Sequence, residues 1–420
     1  MRTLRPAALV IALVTALSAC SWTQVRGNGQ RSGVNPVAPG VTLAAVGDLA
    51  PAWTSTDHGA LPHEVTIRDG RAVFAGAAAL WAIDTATGTD LWHVDRPNGH
   101  QSNELIPATT WRSNNTSVVG MNQFWTDSIS GTPYFQWLSR LDVLDLATGA
   151  TVSTRASAAA TPPLDVGGWL YLPVDLIIAR PRAAGESVID IHLDAQALDG
   201  SGASFTVPLS SPVEPISSLA ADRDTLYLRT LTGLRALPAR GCGQPVCTPT
   251  WQSTYLNASP TGQIAVANGT VFDLASNGML TAIDAAGCGA TSCAPRWQTT
   301  SQLAATGFAV ASGRVYVTSG ARLSVFDAAG CGASTCAPLW TATASGTLTA
   351  PSIVNDIVIA GTGDGNLVIW NRAGCGASTC EPAWSQAQGG AVGPVSPIDH
   401  ALVFTVGGSV RKLEVPRGPT

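Results

Sequence analysis

Nine cysteines are the residues of this chain best able to do chemistry. Eight form four pairs, Cys242/Cys247, Cys288/Cys293, Cys331/Cys336 and Cys375/Cys380, each spaced C-x4-C, and Cys20 stands alone near the start. Two thiols at this spacing can close a disulfide or supply half of a tetrahedral zinc site. The zinc alternative needs four thiolates or imidazoles to converge, and no histidine accompanies any pair. His58, His63 and Glu64 in DHGALPHEV could hold a metal or exchange protons, but two loosely spaced histidines on a loop are expected to be solvated. GNGQRSG (27–33) and GTGDGN (361–366) precede no helical pattern and read as turns, not phosphate cradles. No catalytic residue and no metal site is assigned.

The compartment decides between thiol chemistries. Arg2 and Arg5 precede an uncharged apolar stretch, Ala7 to Leu17, which ends in small residues. That is the pattern of a signal peptide over residues 1–19. It is shorter than the roughly 20 apolar residues needed to span a bilayer. Leu17-Ser18-Ala19-Cys20 resembles the lipobox of bacterial lipoproteins, which implies that Cys20 carries a lipid and tethers the chain to the extracytoplasmic face of the cell membrane. Outside the cytosol no thiol pool keeps cysteines reduced, so the eight remaining cysteines are expected as disulfides.

Composition narrows the partners. Hydrophobic residues make up 45% of the 420, enough for a substantial core, and charged residues only 12%. With 43 Gly and 27 Pro, many short strands and tight turns are expected. The net charge of −5 becomes more negative when Arg2 and Arg5 leave with the signal peptide, and no Lys/Arg cluster stands in the remainder. Nucleic acid is therefore not an expected partner.

The elements that position the cysteines repeat. LRALPARGCGQPVCTPTW (234–251), LTAIDAAGCGATSCAPRW (280–297), LSVFDAAGCGASTCAPLW (323–340) and LVIWNRAGCGASTCEPAW (367–384) align, and their last residues, Trp251, Trp297, Trp340 and Trp384, set a period of 40 to 50 residues. Around Gly313 one period holds four strand-like segments with period-two alternation, as in Leu323-Ser324-Val325-Phe326. Upstream, LWAIDTATGTDLW (80–92) and LDVLDLATGATVSTR (141–155) keep the hairpin without cysteines. Asp84, Asp145, Asp284 and Asp327 recur before its turn, where a carboxylate can accept backbone N–H bonds. One Trp per period is expected as packing between neighbouring units. Pro249, Pro295, Pro338 and Pro382 suit an outermost strand whose edge must not pair.

The expected fold is all-β: a single β-propeller over residues 50–416 with eight four-stranded blades, seven being the alternative. APAWTST (50–56) supplies the strand missing from the C-terminal unit and so closes the ring. Residues 20–49 are read as the lipidated cysteine and an extended linker, and 417–420 as a tail. NQFWTDSISGTPYFQWLSR (122–140) reads as an extended hairpin. Its aromatics, Phe124, Trp125, Tyr134, Phe135 and Trp137, together with Trp111, form either a docking surface or local packing.

The repeat L-x-A-x-D-x-x-x-G-x-x-x-W, the opening SWTQVRGNGQRSGVNP (21–36) and VTLAAVGDLAPAW (41–53) resemble the PQQ-like β-propeller repeats of secreted bacterial lipoproteins. The resemblance covers nearly all of the mature chain. It implies a fold shared with outer-membrane assembly lipoproteins and with quinoprotein dehydrogenases, so fold does not settle function. Quinoprotein dehydrogenases hold PQQ between a tryptophan and a disulfide of adjacent cysteines, beside a calcium or lanthanide ion on Glu, Asn and Asp. This chain has no Cys-Cys dipeptide, and its paired cysteines are expected at blade edges. The reading favours a binding or scaffold protein at the cell envelope with a protein or surface-polymer partner. The alternatives are an oxidoreductase using PQQ with calcium, and a glycan- or solute-binding propeller.

Overall fold

A computed structural model of the chain describes residues 22, 26–36, 38–60, 63–76, 79–95, 110–111, 116–129, 132–156, 161, 163–179, 187–197, 201–209, 216–254, 262–301 and 304–417. Cys20 and the stretch before it lie outside the described residues. The protein is all-β, with one short 3-10 turn, Val46–Asp48, among the described residues. Six sheets contain a four-stranded antiparallel meander. The first comprises Thr66–Arg68, Arg71–Ala75, Ala79–Asp84 and Asp90–Asp95. The cysteine-bearing repeats give four more, which begin with Ser218–Ala221, Gly262–Ala267, Ala305–Ala311 and Ser352–Val354 and end on strands starting at Trp251, Trp297, Trp340 and Trp384. In the last, Ser396–Ile398, Ala401–Val406 and Ser409–Glu414 are joined by Ala50–Ser55, which pairs antiparallel with Ser409–Glu414.

The seventh sheet has eight strands. It contains two long hairpins, Thr116–Ile129 with Thr132–Asp145 and Trp169–Ala179 with Ser187–Ala197. They fuse where Ile177 pairs with Trp137 and Ala179 with Phe135. The extended hairpin is thus present, and a second, unanticipated one joins it. Phe124, Trp125, Tyr134, Phe135 and Trp137 lie on the first of these hairpins and Trp111 on the short strand Thr110–Trp111 paired with it, but their side chains fall outside the described residues.

Successive sheets bury apolar surface against one another, because each meander is apolar on both faces. Phe272, Leu280 and Trp297 of one sheet pack with Phe308, Val315 and Phe326 of the next. The first and last sheets pack likewise through Phe74, Ile83, Val403 and Val410. The tryptophans seat on glycines of the following sheet's turn. A Cβ on Gly287 would lie 2.6 Å from Trp251, one on Gly330 2.5 Å from Trp297, and one on Gly88 2.7 Å from Trp53. All three glycines have positive φ, so the turn admits only a residue with no side chain. Trp53 and Trp92 also donate their indole N–H to Thr85 O and Leu146 O across the same joints, at 3.0 and 2.8 Å.

The turn aspartates act as expected. Asp84, Asp284 and Asp327 accept from the N–H two residues on, at 2.8 to 3.0 Å, and Asp145 accepts from Thr148. All four cysteine pairs are disulfides within their own loops, Cys242 with Cys247, Cys288 with Cys293, Cys331 with Cys336 and Cys375 with Cys380. The loops join the two outer strands of their sheets, yet the second cysteine of each is buried. Cys247 is fully buried and belongs to the apolar cluster of Phe205, Val207 and Leu237. Cys293, Cys336 and Cys380 are buried likewise, in clusters with Trp251, Trp297 and Trp340. The cause is chemical: a sulfur in a disulfide has no proton to donate to water, so it fills core space as a small apolar group.

Each loop also reaches the preceding repeat's outer strand. Cys247 N–H donates to Thr206 O, Cys293 N–H to Gln252 O and Cys336 N–H to Gln298 O, and Thr341 and Ala342 pair in parallel with Thr379 and Cys380. The outer edge, expected to be guarded by proline alone, is covered by the neighbour's disulfide loop.

Candidate functional site: a cavity over a buried arginine pair

The first strands of the sheets contact one another in succession and line a central channel. Into it runs the segment read above as a linker, and its burial is the main departure from the sequence reading. Trp22 is fully buried and pairs antiparallel with Ile67. The chain then follows the inner strands in order. Ala221 donates to Gly29 O, Val266 to Gln30 O, Val310 to Ser32 O and Ile353 to Gly33 O. Val34–Asn35 pairs in parallel with Ile353 and Val354, and Asn35 donates to Pro397 O at 2.8 Å. The inner strands expose backbone groups toward the axis, and this segment satisfies them where water otherwise would.

Arg26 and Arg31 are buried on this segment, and both have positive φ, at 61° and 57°. A non-glycine residue in that region costs energy and persists where the surroundings dictate it. The Arg26 guanidinium donates through Nη2 to Phe308 O and Pro351 O. Its Nε and Nη1 have no hydrogen-bond partner, although Nη1 lies 3.9 Å from Glu64 Oε1. Arg31 donates to Pro163 O at 2.9 Å. Glu64 accepts from the Trp22 indole and from Arg26 N–H, both at 2.8 Å. Burial pushes the Glu64 carboxyl up, against the pull of Arg26. Burial also draws Arg31 down to about 10. Two guanidiniums around one carboxylate leave the group with a surplus of positive charge.

Above it, where the inner strands begin, open two cavities that share Arg26 and Gln263. One of about 550 Å³ is lined by His63, Glu64, Thr306, Thr347, Thr349 and Val392 among others, and one of about 190 Å³ by Arg31, Thr161, Ser217 and Phe308. Their walls are mainly apolar with a few polar groups, as in small-molecule sites.

The structure separates the DHGALPHEV residues. Glu64 faces the arginines and His63 the larger cavity. His58, expected in solvent, is buried, packs edge-on to Phe74 and Trp81, and binds Asp90 Oδ1 at 2.8 Å. Sequence reasoning did not find Trp22, Arg26 or Arg31. The only signal was two arginines inside a glycine-rich stretch whose neighbours carry no apolar periodicity.

The described residues do not fit a quinone cofactor of the kind the resemblance implies. All eight paired sulfurs belong to the outer loops, and the buried ones, Cys247 among them, pack between sheets and not toward the channel. Among the described residues no three His, Cys, Asp or Glu side chains converge, and Glu64 is held by Trp22 and Arg26.

Residues 243–374 match a family model described as outer membrane protein assembly factor BamB. No curated protein matches the chain. Among solved structures, quinohemoprotein alcohol dehydrogenase from Comamonas testosteroni aligns at 14% identity with a TM-score of 0.65, covering 98% of this chain and 83% of the other. BamB from Moraxella catarrhalis aligns at 14% identity and a TM-score of 0.54, covering 87% and 99%. Quinohemoprotein alcohol dehydrogenase ADHIIG from Pseudomonas putida HK5 gives 13% and 0.64, covering 99% and 84%. At such identities the likeness is one of fold, and together with the family match over residues 243–374 it bears out the resemblance read from the sequence: the chain has the β-propeller fold of PQQ-like repeat proteins.

Proposed function

We propose that the protein is a lipid-anchored, extracytoplasmic propeller of eight blades that serves as a binding scaffold at the cell envelope. Eight blades follow if the fused sheet counts as two, and the pairing of Ala50–Ser55 with Ser409–Glu414 supports closure by the N-terminal strand. The observation that carries the binding role is the channel itself. The chain's own residues 26–35 fill one part of it and leave a cavity of about 550 Å³ over Arg26 and Glu64. The family match to an outer membrane protein assembly factor favours a protein partner. A photo-crosslinking residue at the exposed Thr347, on the cavity rim, tests this in cells. One recurrent polypeptide, lost when Thr349 is replaced by Arg, is the expected result. Adducts that do not recur, or that survive the substitution, refute it.

A second reading, solute or glycan binding, is favoured by the hydroxyls of Thr306, Thr347 and Thr349 beside Arg26. Titration with neutral and acidic sugars, followed by tryptophan emission, separates the two. The oxidoreductase reading is tested by PQQ- and calcium-dependent dye reduction, for which no turnover is expected from the donor set described above.

A further inference from the structure

The path of the N-terminal segment fixes which face of the propeller a lipid at Cys20 must meet. The inner strand Thr66–Arg68 runs from Glu64, at the cavity mouth, toward the turn at Asp69 and Gly70. Trp22 lies opposite Ile67 in antiparallel sense, and Arg26 N–H reaches Glu64 four residues later. The segment therefore climbs toward the cavity as the strand descends, so that its Trp22 end is the one nearer the Asp69–Gly70 turn. Cys20 is two residues from Trp22, and two residues span at most about 7 Å. Trp22 is fully buried, so a lipid carried at Cys20 would be attached within that chain length of the fold.

The turn at Asp69 and Gly70 shares its face with the disulfide loops. Thr85, at the start of the outer turn, donates to Gly70 O at 2.8 Å. In the cysteine repeats Ala285 donates to Gly269 O and Ala328 to Gly313 O, immediately before Cys288 and Cys331. A separate property marks the same face. The large apolar side chains exposed among the described residues are Leu91, Val152, Val246 and Leu339, at 43%, 60%, 55% and 49%. Val246 is in a disulfide loop, Leu339 follows one, and Leu91 and Val152 follow the equivalent turns. Between the cysteines the four loops read GQPV, GATS, GAST and GAST, with no charge to be desolvated.

We infer that this face, with its inner-strand turns and four disulfide loops, rests on the lipid bilayer, and that the cavity over Arg26 opens away from it. The inference rests on the lipid-anchored reading. Exposed apolar residues beside loops uncharged between their cysteines suit the headgroup boundary, where the apolar surface gains by burial while the flanking charges, Asp69, Arg240, Asp327 and Glu381, stay in the hydrated headgroups.

Hydrogen exchange on the intact protein tests it. The mature chain anchored through Cys20 to vesicles of phosphatidylcholine and phosphatidylglycerol is compared with the chain starting at Ser21, free in solution. Slower exchange in 242–247, 288–293, 331–336 and 375–380, with 345–350 and 391–394 unchanged, supports the orientation. Slowing at 345–350 or 391–394, or at neither face, overturns it. The intact mass reports separately whether Cys20 carries a lipid. If it does not, the anchor reading falls alone, and the chain coupled through the Cys20 thiol to a maleimide lipid gives the same two outcomes for the face.

Discussion

Alanine at Gly287 and at Gly289 makes a matched pair that isolates the tryptophan joint. Both glycines flank Cys288 and hold nearly the same left-handed backbone, with φ of 81° and 77°. Each substitution therefore carries the same left-handed penalty, about 1–2 kcal/mol. Each also gains the same reduction in unfolded-chain entropy, about 0.4–1 kcal/mol. What differs is the space. A Cβ on Gly289 meets nothing within 4 Å, while one on Gly287 lies 2.6 Å from Cδ1 of Trp251, a side chain only 5% exposed. Making room forces the indole out of its seat, and overpacking of this kind costs about 1–3 kcal/mol more. Urea unfolding of the oxidised proteins, read by circular dichroism and tryptophan emission, should show Gly287→Ala less stable than Gly289→Ala by that margin. Equal losses would refute the argument that the tryptophan repeat exists to join sheets.

Other perturbations report on other joints. Arg229 and Asp273 form a buried pair at 2.8 Å between neighbouring sheets, so Asp273→Ala, which strands the guanidinium, should cost about 3–5 kcal/mol in the same urea assay. Trp22→Ala removes a fully buried indole from the channel segment and should cost about 3–5 kcal/mol, with faster hydrogen exchange in residues 26–35; a mobile linker would show neither. Reduction should destabilise the protein by about 2 kcal/mol for each short disulfide loop, measured as a fall in the urea midpoint with dithiothreitol. The Thr148 hydroxyl and N–H hold the Asp145 carboxyl below the usual carboxylate range. Its stabilising share is therefore complete above the unfolded value of about 4 and is lost as pH falls through the lower folded value. Melting temperature should drop on acidification below about pH 4, and by less in Asp145→Asn.

The repeat was legible because its constraints are local and recur. A turn aspartate, a glycine, a disulfide loop and Trp251 or its equivalents reappear in order, so strand number, pairing and the role of the tryptophans could be read together. The channel segment was not legible, because its partners are remote. Arg26 meets Phe308 and Pro351, and Asn35 meets Pro397, at separations that no periodicity within residues 21–36 encodes. The burial of His58 was hidden for the same reason, since its partners Asp90 and Trp81 come from other strands. Cys247 shows both sides of this: its bond to Cys242 is local and was readable, while its burial beside Phe205 depends on another sheet. Nor did the composition of residues 169–197 distinguish a long hairpin from ordinary strands, because the extension is stabilised by pairing with Phe135 to Trp137.

The sheet that pairs Ala50–Ser55 with Ser409–Glu414 sets an order on synthesis and folding. Ala50 pairs with Glu414, so a strand made among the first finds its partner only after nearly the whole chain has followed. Sheets such as Gly262–Gln298 can form as they emerge, since their contacts are local, whereas the joining sheet waits on loop closure across some 360 residues and is expected to form late. Until then the strand Ala50–Ser55 lacks its partner strand. A chain broken off before Ser409 would leave that edge bare, open to proteases and to pairing with other chains.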